Sequence, residues 1–390
     1  MRKVRLKEIG TFYSGLSGKS KSDFSEGNAL LVTYRNIFNN PVLNPAIKDT
    51  VVVGKDEKQN EVLWGDILIT GSSETPADAG MSSVVLFIPE EKMYLNSFCF
   101  GFRLNDMNEV LPSYIGHLLR STSIRAAISK TAFGVTRFNV NRMRFADIEI
   151  PLPPLNIQKE IVSILDSFTS LIDKMKQEVE MRKKQMGFYR EKLMAPQKNW
   201  EIKTLGELGT FTRGNGLQKS DFRDKGFPCV HYGQIHTYYN TCIYKTKSFC
   251  EEDFAKKLQK AGYGDLLIAT TSEDVKACCK AAVWFGDGDV AYSGDSFCYS
   301  HNQDSKYMAY LFQTEMFAKQ KQMAATGAKV IRVSGVSMAS FSFAFPPLVQ
   351  QRQIASILDS FETYISKLEK MIELRQKQYE YYREKLLTFE

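Results

Sequence analysis

Apolar residues recur in alternating steps of three and four along two stretches of this chain, 155–195 and 348–388. In the first stretch the recurring positions are Ile161, Ile164, Phe168, Leu171, Met175, Val179, Met186, Tyr189 and Leu193. In the second stretch they are Ile354, Ile357, Phe361, Tyr364, Leu368, Ile372, Tyr379, Tyr382 and Leu386. Two prolines precede each stretch, and proline is tolerated before a helix but not inside one. The spacing therefore predicts two long helices, each with the narrow apolar seam of a coiled coil.

The two predicted helices are copies of each other and align without a gap. Ile164–Phe168 returns as Ile357–Phe361, and Tyr189–Leu193 returns as Tyr382–Leu386. An apolar seam needs a partner, and each copy offers a partner of the same length. We therefore expect the two helices to pair with each other, and packing of each helix on another core is the alternative.

The segments that precede the helices are repeated as well. Lys21–Phe24 returns as Lys219–Phe222, and Gly65–Ile69 returns as Gly264–Ile268. Short β-branched or aromatic runs between turn residues predict strands, whereas spacings of three and four predict a helix later in each copy. The predicted strands are Leu30–Tyr34, Ile67–Thr70, Ser83–Ile88, Ser97–Leu104 and Ile148–Leu152, the predicted helices are Pro112–Lys130 and Tyr307–Ala325, and Gly134–Arg144 is predicted to be a loop.

These patterns predict an α+β protein made of two tandem domains, separated by a long antiparallel two-helix coiled coil with pseudo-twofold symmetry. We place the first domain at 1–152, the central helix at 153–195, the second domain at 196–345 and the C-terminal helix at 346–390. Antiparallel pairing is expected because parallel pairing would require the second domain to reach back along the whole first helix, which the short linker Ala195–Asn199 disfavours. Helices of ~40 residues, at ~1.5 Å per residue, would hold the domains ~60 Å apart.

Bulk composition narrows the class of protein only slightly. The 390 residues carry a formal net charge of +7, which permits an anionic partner without requiring one. Seven cysteines without framework spacing predict reduced thiols and a cytoplasmic location. No apolar run approaches the ~18 residues of a membrane span, so no membrane association is expected.

Three motifs suggest catalytic activity or metal binding, but each motif matches the required pattern poorly. Both Pro-Pro-Leu motifs lack the polar first residue and the aromatic last residue of a methyltransferase motif. Asp265 with Asp274 and Lys276 loosely resembles a nuclease set, but the first copy does not continue that pattern after Asp66. The residues with zinc-ligand chemistry are irregularly spaced, and we expect packing and surface roles for them. They are Cys229, His231, His236 and Cys242.

The repeated motifs resemble those of the specificity (S) subunit of type I restriction–modification systems. The similarity covers nearly the whole chain, and it is strongest from Gly134 to Gln158, from Gly327 to Gln351, and at Leu205–Phe211. The resemblance implies that 1–152 and 196–345 are target-recognition domains and that the two helices form the spacer between them. It also implies a non-catalytic, double-stranded DNA-binding subunit on which two methyltransferase (M) subunits and a restriction (R) subunit assemble. The M subunits would methylate adenine; S-adenosylmethionine and ATP are expected on the partner subunits, and no cofactor in this chain.

Candidate DNA-binding residues come from polar positions in loops that differ between the two copies. Arginine and lysine suit guanine, and asparagine and glutamine suit adenine, whereas hydroxyl groups suit phosphates. The candidates for base contacts are Arg35, Asn36, Arg137, Asn139, Gln234, His236, Lys276, Lys329 and Arg332, and those for phosphate contacts are Ser72, Thr136, Thr271 and Ser272. Gln158 and Gln351, at the helix entries, have two equal alternatives: local packing or contact with a docked partner.

Two unlike heads on a rigid spacer lead to the hypothesis of a reader of bipartite, asymmetric DNA targets. A fused methyltransferase or nuclease is a second class of protein, disfavoured because no cofactor-binding glycine loop or acidic metal set occurs in both copies. A coiled-coil adaptor that binds proteins but no nucleic acid is the third.

Overall fold

A computed structural model describes residues 2–24 and 26–389. The chain divides into two compact units. Unit 1 contains the residues up to Lys176 together with those from Lys370 onward, and unit 2 contains Gln177–Glu369. Each unit therefore combines one globular domain with a part of each long helix.

Unit 1 contains twelve strands among its described residues, and six helices begin in it. The strands are β1 (Arg2–Arg5), β2 (Gly10–Ser14), β3 (Ala29–Val32), β4 (Thr50–Val51), β5 (Ile67–Thr70), β6 (Ser72–Ser73), β7 (Ser82–Val84), β8 (Met93–Leu95), β9 (Cys99–Leu104), β10 (Ala132–Phe133), β11 (Phe138–Val140) and β12 (Glu149–Leu152). The helices are α1 (Leu6–Ile9), α2 (Tyr34–Asn39), α3 (Pro112–Leu119), α4 (Thr122–Ser129), α5 (Arg142–Ala146) and α6 (Leu155–Met194).

The core of unit 1 lies between a sheet and helices. The central sheet has the order β2-β9-β5-β7 and is antiparallel, and a second sheet has the order β4-β3-β8. Phe100 and Phe102 of β9 are fully buried against Tyr114 of α3 and Phe145 of α5. Alternating apolar positions on β9 explain this packing, because successive side chains of a strand point to opposite faces.

Unit 2 repeats this plan with more strands. Its strands are β13 (Glu201–Thr204), β14 (Gly209–Arg213), β15 (Phe227–Val230), β16 (Cys242–Ile243), β17 (Ser248–Cys250), β18 (Lys260–Ala261), β19 (Leu266–Ala269), β20 (Thr271–Ser272), β21 (Lys280–Trp284), β22 (Val290–Tyr292), β23 (Ser296–His301), β24 (Ile331–Arg332) and β25 (Ser342–Phe345). Its helices are α7 (Leu205–Leu208), α8 (Tyr232–Thr237), α9 (Glu252–Ala255), α10 (Ser305–Leu311), α11 (Glu315–Ala324), α12 (Gly335–Ala339) and α13 (Leu348–Leu387).

The sheets of unit 2 have the orders β14-β23-β19-β21-β16 and β17-β15-β22-β18. Their core includes Tyr299 of β23, Tyr307 and Tyr310 of α10, and Phe317 of α11, all of them fully buried. The hydroxyl group of Tyr299 donates to the carbonyl oxygen of Leu205 at 2.7 Å, so this buried polar group is satisfied.

The two long helices pair antiparallel, as predicted. In unit 2, Tyr189 of α6 stacks on Phe361 of α13 with ring centroids 5.6 Å apart, and Lys183 forms a 3.0 Å ion pair with Glu369. The residue number rises on one helix as it falls on the other, which defines the antiparallel direction. In unit 1 the same stack recurs between Phe168 and Tyr382, at 5.4 Å.

The buried face of each helix differs from the predicted seam. Ile164 and Ile357 are more than 40% exposed, whereas the adjacent Leu165 and Leu358 are completely buried. The same shift occurs at Leu171 and Tyr364, which are exposed beside the buried Ile172 and Ile365. Each helix packs on the globular domain as well as on the other helix, so the buried face is broader than a two-helix seam and is shifted by one residue at these two positions of each helix. Other positions of the predicted seam are buried as predicted, among them Ile161, Val179, Ile354 and Tyr379.

Four local predictions were wrong, and the first is the strand predicted at Ser83–Ile88, which ends at Val84. The single helix predicted at Pro112–Lys130 is broken into α3 and α4, and the one predicted at Tyr307–Ala325 is broken into α10 and α11. At the first break the hydroxyl group of Ser121 donates to the carbonyl oxygen of Leu118 at 2.7 Å, and at the second Thr314 caps α11. Ser and Thr favour such helix ends over helix interiors. The region predicted as a loop, Gly134–Arg144, contains β11 and the start of α5. Within the described residues, no helix is long and apolar enough to cross a membrane.

Candidate nucleic-acid interface

A small sheet in unit 1 brings together two segments that are distant in sequence. β11 pairs antiparallel with both β10 and β6, and this pairing places Asn139 opposite Ser72 and Phe138 opposite Ser73. The turn between β10 and β11 carries Thr136 and Arg137, both exposed. Thr136, Arg137 and Asn139 are therefore exposed beside one another, whereas Ser72 is buried, which corrects the expectation that its hydroxyl group is free to bind a phosphate.

Next to this sheet is a cleft of about 560 Å³, lined by Ser72, Thr136 and Arg137 together with aromatic residues. The Nε atom of Arg137 donates to the hydroxyl oxygen of Ser72 at 3.0 Å, and its guanidinium group lies 5.0 Å from the ring centroid of Phe98. The cation–π contact and the hydrogen bond hold the arginine at the mouth of the cleft. Its other guanidinium nitrogens remain available to an acceptor on a ligand.

Helix α2 forms another wall of the cleft through Tyr34 and Phe38, whose rings stack with centroids 5.7 Å apart. Arg35, on the same helix, is exposed. Asn36 does not behave as predicted, because its side-chain oxygen accepts from Asn40 and from the backbone N–H of Asn44, and its amide donates to the carbonyl oxygen of Asn44. All its polar atoms stabilise the end of α2, so this amide is not free to contact a base.

Unit 2 builds the corresponding strand pair from different side chains. β20 pairs antiparallel with β24, which places Thr271 opposite Arg332 and Ser272 opposite Ile331. Arg332 therefore occupies the position that Asn139 holds in unit 1. Arg332 and Lys329 are exposed, and Lys276 is exposed on the loop that follows β20.

The other predicted contact residues of unit 2 are engaged inside the unit. Gln234 accepts from the backbone N–H of His231 at 3.0 Å and donates to the hydroxyl oxygen of Ser248 at 2.7 Å, so it caps α8. The Nε2 atom of His236 lies 2.9 Å from the carbonyl oxygen of Thr271, and the buried Thr271 hydroxyl group donates to Asp295 at 3.1 Å. These contacts orient α8 against β20, and they correct the expectation that Gln234 and Thr271 offer free side chains.

Six of the predicted residues keep uncommitted side chains. Among residues 2–24 and 26–389, the side chains of these six form no hydrogen bond or ion pair with the rest of the protein. They are Arg35, Thr136, Asn139, Lys276, Lys329 and Arg332. Cations can bind phosphate oxygens or guanine, and an amide can bind adenine in a bidentate manner. The uncommitted groups differ between the units while the strand pairs that carry them are alike.

The glutamines at the helix entries are buried and fully bonded. Gln158 is completely buried; it accepts from the backbone N–H of Leu111 at 2.9 Å and donates to the carbonyl oxygens of Glu109 and Pro153. Gln351, 1% exposed, likewise accepts from the backbone N–H of Asp304 at 3.1 Å. Both amides tie a long helix to its globular domain, so the structure favours local packing over contact with a docked partner.

The motifs that suggested enzymatic chemistry have structural explanations. Asp66 is completely buried and accepts from Arg103 at 2.7 Å and 2.8 Å, and Asp265 accepts from the backbone N–H of Gly262 at 2.8 Å. Both carboxylates stabilise turns before a central strand. Within the part of the chain that the structure describes, no group of three or more His, Cys, Asp or Glu residues is arranged to hold a metal ion.

Two features of the clefts were not apparent in the sequence: the aromatic walls of the first cleft, and a second cleft in unit 2. The second cleft, of about 620 Å³, is lined by Arg213, Lys219, His231 and Tyr232 among others. Burial lowers the pKa of His231, so its ring is neutral near pH 7. The sequence contains one sign of this second cleft. The motif Lys21–Phe24 returns as Lys219–Phe222, and Lys219 lines the cleft, but the repeat alone does not indicate a function.

Comparison with known proteins identifies the family. The model of the type I restriction modification DNA specificity domain matches residues 1–181 and again 197–376. A putative type I restriction enzyme specificity subunit of Haemophilus influenzae is 28% identical over 268 residues, which cover 66% of this chain and 68% of the relative. The EcoR124I/EcoR124II specificity subunit of Escherichia coli is 29% identical over 259 residues, covering 62% of this chain and 63% of the relative.

Solved structures agree at the level of the fold. The S subunit of a type I restriction–modification system from M. genitalium has a TM-score of 0.56 and 14% identity, with 100% of this chain and 96% of the other chain covered. A chain from a structure of type I R-M system assembly and conformational transition has a TM-score of 0.60 and 14% identity, covering 99% and 97%. Because the specificity model matches both halves and nearly all of the sequence, the chain belongs to the type I restriction–modification DNA specificity family, the family of the S subunits.

Proposed function

We propose that this chain reads a bipartite, asymmetric sequence in double-stranded DNA, one part with each unit. The observation that carries the proposal is the repeated strand pair with unlike side chains: Asn139 opposite Ser72 in unit 1, and Arg332 opposite Thr271 in unit 2. An asparagine amide pairs with adenine and an arginine pairs with guanine. The two strand pairs have similar backbones, but their side chains would therefore select different bases.

In this proposal some of the exposed side chains bind phosphates and others contact bases. Lys329, Lys276 and Arg35 are exposed cations with long flexible stems, suited to phosphate oxygens that are the same in every sequence. Phosphate contacts set the position of each unit on the duplex, and Asn139 and Arg332 then test base edges in the major groove. The net charge of +7 favours such an encounter with a polyanion.

The long helices would serve partner subunits. Ile164, Leu171, Ile357 and Tyr364 are apolar, more than 40% exposed, and point away from the buried face of their own unit. We propose that two methyltransferase subunits dock on these helices, that a restriction subunit joins them, and that S-adenosylmethionine and ATP are bound by those partners. The chain itself would contribute recognition and assembly and no reacting group.

The test is a map of methylated sites in cells that lack other DNA methylation and that express the full chain with its methyltransferase subunit. The native chain is expected to direct methylation to one two-part motif. Asn139→Ala should relax one position in one part of the motif, and Arg332→Ala should relax one position in the other part, each by ~1–3 kcal/mol of base discrimination.

A matched control is Arg144→Ala, which removes another exposed arginine whose side chain forms no hydrogen bond or ion pair with the described residues. It should leave the motif unchanged. Methylation without a sequence preference would contradict the proposal. Absence of any duplex binding by the assembled complex, measured at several salt concentrations, would instead favour the adaptor that binds only proteins.

A further inference from the structure

A loop follows β6 in unit 1 and β20 in unit 2, and in each unit a cation from a neighbouring helix holds the backbone of this loop. In unit 1 the guanidinium group of Arg125 of α4 donates to the carbonyl oxygens of Ala77 at 2.6 Å, Ala79 at 2.6 Å and Gly80 at 2.7 Å. In unit 2 the loop is held by Lys321 of α11. Its ammonium group donates to the carbonyl oxygens of Lys276 at 2.9 Å and Cys278 at 2.8 Å.

Lys321 is buried, and Arg125 is half-buried. Lys321 is 6% exposed, and burial lowers the pKa of both Lys321 and Arg125. Among the described residues, neither cation forms an ion pair with a carboxylate. A buried charge without an ionic partner costs free energy unless hydrogen bonds compensate for it. Here the hydrogen-bond acceptors of both cations are carbonyl oxygens of the loop, so the loop conformation and the cation depend on each other.

The contact recurs although the residues that make it are not equivalent. Counting from the matched glycines Gly134 and Gly327, Lys321 corresponds to Ile128, whereas Arg125 corresponds to Ala318. The two cations thus reach their loops from helix positions three residues apart, about one turn. The two units therefore make the same kind of contact with different residue types at different helix positions. This recurrence indicates that each unit requires the loop to be held in place.

The end of each loop has the same unusual backbone. Gly80 has φ +68° and its N–H donates to the carbonyl oxygen of Thr70, and Cys279 has φ +61° and donates in the same way to Ala269. A Cβ atom on Gly80 would lie 2.6 Å from Ile128, and unit 2 has a lysine at the position of that isoleucine. A non-glycine residue with positive φ is strained and persists only where its surroundings hold it.

The held loops carry exposed polar side chains beside the proposed base-reading strands. Glu74 and Thr75 follow β6 directly and line the cleft of unit 1, and Glu273, Asp274 and Lys276 follow β20. Carboxylates accept from the amino group of cytosine, and lysine donates to guanine or phosphate. Such contacts need a loop that keeps one shape, because an unrestrained loop would present its side chains in many arrangements.

We infer that Arg125 and Lys321 are positioning residues that set the DNA target through these loops, an inference that rests on the proposed function. Neither cation touches DNA in this scheme. Each orders a loop whose exposed side chains contribute to the part of the motif read by its own unit.

The experiment compares methylation maps for the full chain, expressed with its methyltransferase subunit, in native form and as Arg125→Met, Lys321→Met and Lys319→Met. Lys319 is exposed on α11 and its side chain has no partner within the described part of the chain, so this variant repeats the charge change without touching the loop. Lys321→Met should lower discrimination ~10-fold at positions in one part of the motif only, and Arg125→Met in the other part only. Lys319→Met should leave both parts unchanged.

The conservative variants separate positioning from stability. Lys321→Arg and Arg125→Lys keep a cation near the carbonyls and should restore most of the lost discrimination. Hydrogen exchange at 273–279 should rise in Lys321→Met while exchange in the strands of the same unit stays as in the native chain. Should Lys321→Met fail to fold, Lys321→Gln, which keeps a donor without the charge, gives the same comparison.

Specific outcomes overturn the inference. An unchanged motif in both Met variants would refute it, and so would equal losses in both parts of the motif together with a lower melting temperature. If the native chain itself directs no sequence-dependent methylation, the proposed function is refuted, and the inference that rests on it is refuted as well. If the native chain reads a two-part motif that the variants leave intact, only the role of Arg125 and Lys321 fails.

Discussion

Gln158 offers the sharpest test of how the long helix is joined to its domain. Gln158→Met keeps the length of the side chain and removes its polar atoms. The change leaves the backbone N–H of Leu111 without its 2.9 Å acceptor, and the carbonyl oxygens of Glu109 and Pro153 without their donors, in a site that is completely buried. One unsatisfied buried donor costs ~1–3 kcal/mol, and with the two weakened carbonyls we expect a loss of ~2–4 kcal/mol.

The assay is thermal unfolding of the full chain, with hydrogen exchange to locate the effect. For a unit of this size, ~3 kcal/mol corresponds to about 10 °C in melting temperature. Lys159→Met is the matched control, since Lys159 is the next residue and is exposed. Exchange should rise at Leu111 and through α3 but not in unit 2. A loss below ~1 kcal/mol, combined with weaker retention of the methyltransferase subunit, would refute local packing and restore the partner-contact alternative.

Three further predictions follow from other contacts. Both carboxylate oxygens of Glu384 accept from the backbone N–H of Thr122, at 3.0 Å and 2.9 Å. Glu384→Ala should therefore lower the stability of unit 1 by ~1 kcal/mol in thermal unfolding. The control is Glu380→Ala, which removes an exposed carboxylate of the same helix and should not lower the stability. Burial lowers the pKa of His301 to about 4, below its unfolded value, so this group should remove up to ~1.4 kcal/mol of unfolding free energy per pH unit as the pH falls from 6.5 to 4. His301→Gln should flatten that part of the stability profile, and an unchanged slope would contradict the assignment. Lys329→Ala should weaken binding of the assembled complex to all duplexes alike and reduce the salt slope by ~1, whereas a loss confined to one sequence would mark a base contact instead.

The sequence predicted the helix pair because its signal is periodic and duplicated. It could not predict which residues of that pattern are buried. Ile164 and Leu165 are both apolar, and only the added surface of the globular domain turns the helix so that Leu165 is inside and Ile164 is outside. Similarly, the helix breaks at Ser121 and Thr314 depend on short-range hydrogen bonds that compete with a continuous helical pattern.

The candidate interface could likewise be predicted only in part from the sequence. Comparing the two copies located the variable loops, and the structure brings the exposed Thr136, Arg137 and Asn139 together beside the buried Ser72 in unit 1. The comparison could not tell a free amide from a committed one. Asn36 and Gln234 have the right chemistry for a base contact, but both are used to stabilise short helices.

By itself, the sequence determined the duplication, the α+β class, the two long helices and the family, because each of these is written in residue spacing that repeats along the chain. Only the tertiary structure decided which side chains are free, which are buried and which hold a loop. Those properties depend on neighbours that are far away in sequence. Arg125 donates to the carbonyl oxygens of Ala77, Ala79 and Gly80, and Lys321 donates to those of Lys276 and Cys278. A linear pattern records the type of each side chain, whereas the free energy of its contacts is set by the folded surroundings.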